Sequence, residues 1–435
     1  MPLYEGIRFA AEKNSVILDL GRAYTKCGFA REQSPRVIIP STIPIPDSDL
    51  GSSIWNYAGP DDLFITLKEF MYILYFKYLA VSPKDRQVVI VESVLCPTLF
   101  RNTLAQVLLE HFEVPGIVFV PSHLMSLYTL GINTALVLDC GYFESICLPV
   151  FEGVCILSAW QALPLGGSAI HRRIENELSE ASVQGPGKRR CRLEDVLHEQ
   201  LKEPVLEDVK TRACFVTTMQ RGHQLQIWGL CRSQGESTGH EPPDPPPDVE
   251  FPLDGDMVVT VPGTLREYAA EVLFELDGDM KSVATLLLDS ILKDSEIASI
   301  IALIWALSVG AIVLDPCLRT QAPMDARKKL AENIVVMGGT SMLPGFRHRL
   351  LNELHHLVKD PDYERRMKIS VFKFHSPPCK ENYTAWLGAS IYGSTDALNL
   401  QCITKDKFQD NRKHIPDWSD QMWQKLSVSK SSKSA

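Results

Sequence analysis

Residues 16–29 constrain the fold most. An apolar run, Val16-Ile17-Leu18, stops at Asp19, turns at Gly21 and resumes as a Tyr/Thr/Phe-containing segment ending at Phe29. This is the pattern of strand, tight turn, strand. Such a turn carries chemistry: backbone N–H groups freed where glycine permits positive φ converge on a phosphate, and an Asp at the strand end suits a hydrated Mg2+. The pattern recurs over 136–153, where an apolar strand runs into Asp139, Cys140 and Gly141 and a second β-rich strand follows. Two Asp-x-Gly hairpins point to duplicated lobes across a cleft, each offering one phosphate clasp. Asp and Gly are common turn residues, so the pattern by itself leaves two ordinary hairpins open as the alternative.

At 435 residues the chain exceeds one small core and accommodates two lobes of ordinary size. Its charge, 44 Lys+Arg against 53 Asp+Glu, argues against nucleic acid as the main partner. The run Lys188-Arg189-Arg190 reads as a solvated loop. No basic region followed by an apolar core opens the chain, so no secretory signal is expected and the cytosol is the default. Eleven cysteines without a Cys-x-x-Cys pair read as scattered reduced thiols. The histidines lack metal spacing; the adjacent His355 and His356 diverge on a helix.

In chain order, 35–40 reads as a short strand and 41–62, broken by Pro44, Pro46 and Pro60, as an irregular loop. Apolar spacing predicts a helix over 63–79, a strand over 88–92, a helix over 103–112, a strand over 118–120 and a helix from Ser122 to about 130. That alternation makes the first lobe mixed α/β. Past the second hairpin, 163–167 is a glycine-marked turn into a helix over 168–178, 182–203 is charged and irregular, and 206–213 is helical. The Pro-rich stretch 232–254 reads as an extended surface loop, with partner binding through its polyproline run as the alternative. Helices over 265–276, 283–292 and 324–333 lead to a strand over 334–337, which runs into Gly338-Gly339-Thr340 and a helix to about 358. A double glycine there lets a flat ligand such as a nucleotide base lie on bare backbone. A strand over 369–374 and a helix over 384–392 follow, and the Ser/Lys-rich tail from 424 is expected to be disordered.

Four of these segments resemble the actin family in order and spacing. Asp19-Leu20-Gly21 with Lys26-Cys27-Gly28-Phe29-Ala30 resembles its first phosphate loop, and Leu138-Asp139-Cys140-Gly141 with Pro149-Val150-Phe151-Glu152-Gly153 resembles the second. Gly338-Gly339-Thr340-Ser341-Met342-Leu343-Pro344-Gly345 resembles the adenosine-side signature. Ser376-Pro377-Pro378 with Trp386-Leu387-Gly388-Ala389-Ser390-Ile391 resembles the segment that returns the chain to the first lobe. The likeness runs from about 16 to 398. It implies an α/β fold of the two-lobed actin/sugar-kinase/heat-shock ATPase type, with duplicated lobes around a nucleotide cleft. The implied division is a first lobe of 1–133 with the return of 384–400 and a reduced small subdomain, a second lobe of 134–383, and a C-terminal extension of 401–435. Carried over by position, the cofactor-side residues are Asp19, Gly21, Lys26, Asp139, Gly141, Lys210, Gly338, Gly339 and Thr340, around ATP or ADP with Mg2+.

The departures bear on function. Arg22 and Ala23 stand where actins have a phosphate-contacting serine and a glycine, and Tyr142 and Phe143 replace an Asp-Gly pair. Ser122 falls where actins place the glutamine that orients the attacking water, and Thr211 replaces a ribose-binding glutamate. Serine is too short for that task, and losing a water-positioning group costs orders of magnitude in phosphoryl transfer. The resemblance therefore implies no enzyme and no catalytic residue, with ATP or ADP kept as a structural ligand. Actins also use a long segment after the first hairpin to grip the next subunit, and only 41–62 remains here. Such a subunit ends a filament.

Among actin-related proteins, this combination, together with 67–70, 92–97 and 121–125, most resembles the pointed-end actin-related proteins of dynactin, the adaptor of the dynein motor. The implied role is a non-catalytic subunit of cytoplasm and cytoskeleton that caps dynactin's actin-like filament and supports microtubule-based transport. Its implied partners are the actin-like filament subunit, the other pointed-end subunits and, indirectly, dynein, with no nucleic acid and no membrane. The alternative is an ATP-hydrolysing, polymerising actin-like protein. A sugar kinase needs a carboxylate base facing a substrate pocket, which is not identifiable; a chromatin-remodelling actin relative is a further possibility.

The segment 295–322 has no counterpart in that pattern. Its uncharged part, 297–314, has the length of a membrane span. A single span there would leave the halves of one lobe on opposite sides of a bilayer. A packed helix, or a splice or gene-model variant, is the expectation instead.

Overall fold

The computed structural model describes residues 14–44, 51–178, 182–184, 190–192, 202–233, 243–252, 258–293 and 323–415. The chain divides into two units: Met1–Thr134 with Val150–Cys155 and Ser376–Ala435, and Ala135–Pro149 with Ile156–His375.

In the first unit, β1 (Val16–Leu20) and β2 (Tyr24–Phe29) pair antiparallel and set Asp19 opposite Lys26. β3 (Val37–Pro40) pairs with β2 and ends at proline, as its sequence requires. The stretch expected to be an irregular loop instead contains β4 (Thr42–Pro44) and β5 (Gly51–Ser53), paired as a two-stranded sheet. Three-residue strands are too short to show a period, and pairing between separated segments decided their conformation. The next helix starts at Pro60, whose fixed φ suits a first helical turn, and runs to Tyr72; π-helical turns continue it to Leu79. Leu63, Leu67, Phe70, Leu74 and Tyr75 from this helix enter the core. β6 (Val88–Glu92) and β7 (Ile117–Pro121), buried throughout, lie parallel to β1. A wholly buried run is what a parallel strand needs. The sheet order is β3-β2-β1-β6-β7.

The second unit repeats that order. β8 (Ala135–Cys140), β9 (Ser145–Phe151) and β11 (Gln161–Leu163) form its hairpin side; the end of β9 from Val150 and its partner β10 (Val154–Cys155) extend that sheet with residues grouped with the first unit. A smaller sheet, β13-β12-β15-β14, combines β12 (Ser182–Gln184), β13 (Arg190–Arg192), β14 (Val249–Pro252) and β15 (Val258–Val261). It corrects the reading of 182–203 as irregular and of 232–254 as loop throughout. β16 (Ile334–Met337) and β17 (Phe374–His375) complete the main sheet, β10-β9-β8-β16-β17, with β16 parallel to both β8 and β17. The strand expected over 369–374 is thus two residues, Phe374 and His375.

The helix Met219–Ser233 escaped the sequence reading. It contains Gly222 and Gly229, poor helix formers. A Cβ on Gly222 would lie 2.1 Å from Arg349 Nη1, and one on Gly229 would lie 2.1 Å from the Tyr268 hydroxyl. The glycines exist for close packing that only the fold reveals.

The helix Thr384–Tyr392 belongs to the first unit and packs on Ser122–Tyr128, where Gly388 would place a Cβ 1.7 Å from Met125 O. Beyond it, Phe408 of the helix Lys405–Asp410 and Ile415 join the first unit's core. The expected apolar insertion and the Ser/Lys-rich tail lie outside the described residues. Among the described residues no helix is long and apolar enough to cross a membrane. Nine of the described cysteines are free thiols, six of them buried.

Candidate functional site

In the first unit the Asp-x-Gly turn is closed tightly. Lys26 Nζ lies 3.1 Å from Asp19 Oδ2, so the strand-end carboxylate has a cation of its own. A Cβ on Gly21 would fall 2.5 Å from Tyr24 O, which explains the glycine. The Gly21 carbonyl accepts from Ser41 Oγ at 2.7 Å and from Trp55 Nε1 at 2.9 Å, tying the turn to the segment after it. Arg22 places its guanidinium 4.4 Å from the Trp55 ring, and Trp55 stacks on Phe100 at 3.9 Å. The arginine that changes the turn thus rests on an aromatic face. Ser122 is buried, its hydroxyl 3.2 Å from His123 Nδ1.

In the second unit the predicted residues gather where β8 and β16 end. Asp139 sits beside Met337 in parallel register. Gly338 has φ +96, and a Cβ there would lie 2.2 Å from Cys140 O and 2.6 Å from Asp139 Oδ1, so only glycine allows the two strand ends to approach. Gly339 follows in right-handed helical conformation, and Thr340 Oγ1 donates to Gly141 O at 2.6 Å. Gly141 N donates to Glu144 O at 3.0 Å, while Gly167 N donates to Gly141 O at 3.1 Å. The Gly167 Cβ position is 3.2 Å from Lys210 Nζ, 3.2 Å from Tyr142 Cδ2 and 3.4 Å from Thr340 Oγ1. Asp139, Gly141, Lys210, Gly338, Gly339 and Thr340 are thereby brought together around Gly167, while Asp19, Gly21 and Lys26 form the turn of the other unit.

A latch missed from sequence completes this group. The Tyr142 hydroxyl donates to Glu203, and His171 Nδ1 lies 2.8 Å from Glu203 Oε1. His171 Nε2 is 3.1 Å from Glu207 Oε2 without hydrogen-bond alignment, and Lys210 Nζ donates to Glu207 Oε2 at 2.5 Å. Burial opposes a charge on His171, but its two carboxylate partners outweigh burial and raise its pKa. Burial also opposes ionisation of Glu207, yet His171 and Lys210 hold it down at about 2. The helical spacing of Glu203, Glu207 and Lys210 was the available signal. The Thr211 hydroxyl bonds back to Glu207 O at 2.9 Å.

The donor set suits a nucleotide's sugar and phosphates: a buried ammonium at Lys210, the Thr340 hydroxyl, and bare backbone at Gly167 and Gly338. Internal partners already satisfy Lys210 and Thr340, so the loops hold their shape by themselves. Among the described residues no group of three or more His, Cys, Asp or Glu could hold a metal ion.

Two sheets with one strand order, each bearing an Asp-x-Gly hairpin, define the class of proteins built on the actin-type nucleotide fold. A family model described as Actin matches residues 65–417, and the chain belongs to the actin family. The chain is similar to "Actin-related protein 10" of Dictyostelium discoideum, 27% identical over 455 residues that cover 93% of this chain and 89% of that protein.

Proposed function

We propose that this chain is a non-catalytic actin-related subunit that caps the pointed end of dynactin's actin-like filament in the cytoplasm, in support of dynein-driven transport. The observation that carries the reading is the β4–β5 hairpin. Its strands have three residues each, where filament-forming actins have the element that grips a following subunit. The similarity to an actin-related protein supports it. So does the chemistry: Ser122 is buried against His123, Asp19 is paired with Lys26, and Tyr142 bonds Glu203. A serine at position 122 is too short to orient an attacking water, which supports slow or absent hydrolysis. Adenine nucleotide with Mg2+, when bound, supplies phosphate charge to Lys210 and to the glycine backbone. Asp139, Gly141, Lys210, Gly338 and Thr340 would hold it as a structural ligand.

The test is affinity purification of the full chain from cytosol, with identification of co-purifying chains and extracted nucleotide, followed by phosphate-release and light-scattering assays. The reading expects dynactin's filament subunit among the partners, no elongation by the isolated chain, and phosphate release orders of magnitude below actin's. Self-elongation with actin-like ATP hydrolysis would establish the polymerising alternative.

A further inference from the structure

The Pro-rich stretch lies along the second unit as an extended ridge. Among its described residues, Pro243, Pro246 and Val249 are half-buried, while Asp244, Pro245, Pro247 and Asp248 are exposed. A burial period of three is that of a polyproline II helix, which has three residues per turn and no internal hydrogen bonds. The sequence forces the same conformation. Proline fixes its own φ near about −65°, and Asp244, Pro245 and Pro246 each precede a proline, which keeps them extended.

The body grips one side of this helix. Arg221 Nη2 donates to Asp244 O, and one turn further on Arg266 Nη1 donates to Pro247 O at 2.7 Å. Gly263 N donates to Asp248 Oδ1 at 2.8 Å. A Cβ on Gly263 would fall 1.6 Å from Pro246 O and 3.4 Å from Pro245 Cβ, so this glycine lets the ridge lie against the helix Gly263–Tyr268. Arg221 is itself fixed by Glu267 at 2.6 Å, and Arg266 by Ala213 O at 3.0 Å. The ridge is held in shape before any partner arrives, which spares a partner the entropy of ordering it.

Two dipeptides point outward, Asp244-Pro245 and Pro247-Asp248, separated by the inward Pro246. Two outward dipeptides one turn apart, each with a proline, present the face that a groove lined by Trp and Tyr rings reads in a polyproline II ligand. We infer that this ridge is a docking ligand for such an aromatic-lined groove in a folded domain of another protein. A strand partner has little to pair with, since prolines at 245, 246 and 247 offer no N–H. The inference goes beyond the capping reading, because every residue it uses lies in the second unit and outside the nucleotide-side group.

The test puts a photo-cross-linking phenylalanine analogue at exposed position 250 in β14 of the full chain, with exposed position 400 as control. Lysate of cells that express the protein naturally is irradiated, and adducts are mapped by mass spectrometry. The inference expects an adduct at 250 alone, mapping to the tryptophan- or tyrosine-bearing groove of a domain in a different chain. Excess poly-L-proline added before irradiation should cut its yield about tenfold or more, as for a competitor of the same backbone form. Pro245→Ala combined with Pro247→Ala should do the same and leave the melting temperature near that of the wild type, since both rings are exposed. If that variant unfolds, the poly-L-proline competition alone decides. An adduct to a second copy of this chain, to a segment without an aromatic groove, or at both positions equally would overturn the inference. So would no adduct at 250, or one insensitive to poly-L-proline or to the double substitution in a folded chain.

Discussion

The indole Nε1 of Trp386 donates a hydrogen bond to the carbonyl of Ile17 at 3.2 Å, joining residues 369 apart in sequence. The returning helix thus clamps the strand that carries Asp19. Trp386 is wholly buried, and its ring leaves no room for a Cβ on Gly28, which would sit 2.8 Å from Cζ2. Trp386→Ala removes packing and the donor together and should cost about 3–5 kcal/mol. Urea unfolding read by circular dichroism checks this, and a midpoint unchanged from wild type would refute the clamp.

Gly388→Ala opposes two effects. In a helix interior, alanine gains up to about 1 kcal/mol over glycine. Here its Cβ would meet Met125 O at 1.7 Å, which forces the helices Thr384–Tyr392 and Ser122–Tyr128 apart. Overpacking against backbone costs about 1–3 kcal/mol or more, so the substitution should destabilise on balance. A thermal melt decides the sign.

Arg349 is fully buried and holds Glu271 through two bonds of 2.8 and 2.9 Å, with Glu353 at 2.7 Å. Burial pushes the Glu271 pKa up despite this partner. Arg349→Met keeps much of the volume but strands the carboxylates, a loss of about 3–5 kcal/mol. Adding Glu271→Gln should recover part of it, a coupling that a double-mutant cycle measures directly.

The latch gives the helix Lys202–Ala213 a pH optimum. His171 has a raised pKa in the folded state, so its contribution is complete below its ordinary 6.5 and fades as pH rises through the folded value. Glu207 is held at about 2, so its contribution is complete above its ordinary 4.5 and fades as pH falls toward 2. Both are present between roughly pH 4.5 and 6.5. Amide protection of this helix, corrected for intrinsic exchange, should peak in that window and lose its alkaline decline in His171→Gln. A flat profile in the wild type would dismiss the latch.

Local pattern sufficed for several elements because their residues answer to neighbours in the chain. The run from Val16 to Phe29 can form only a tight hairpin, which fixes Asp19 opposite Lys26. The helices Val283–Leu292 and Thr384–Tyr392 fall at the residues their apolar spacing predicts. The repeat of Asp-x-Gly likewise announced two matching sheets. Tertiary structure alone decided the rest. The strands β12 to β15 have three or four residues each and no readable period, and they exist because distant segments pair. Gly222 and Gly229 look like helix breakers until Arg349 and Tyr268 are seen packed over them. Tyr142, noted in sequence only as a substituted loop residue, proves to be bonded to Glu203, 61 positions away. A residue's chemistry is written locally, but its partner is chosen by packing between segments whose separation no local pattern records.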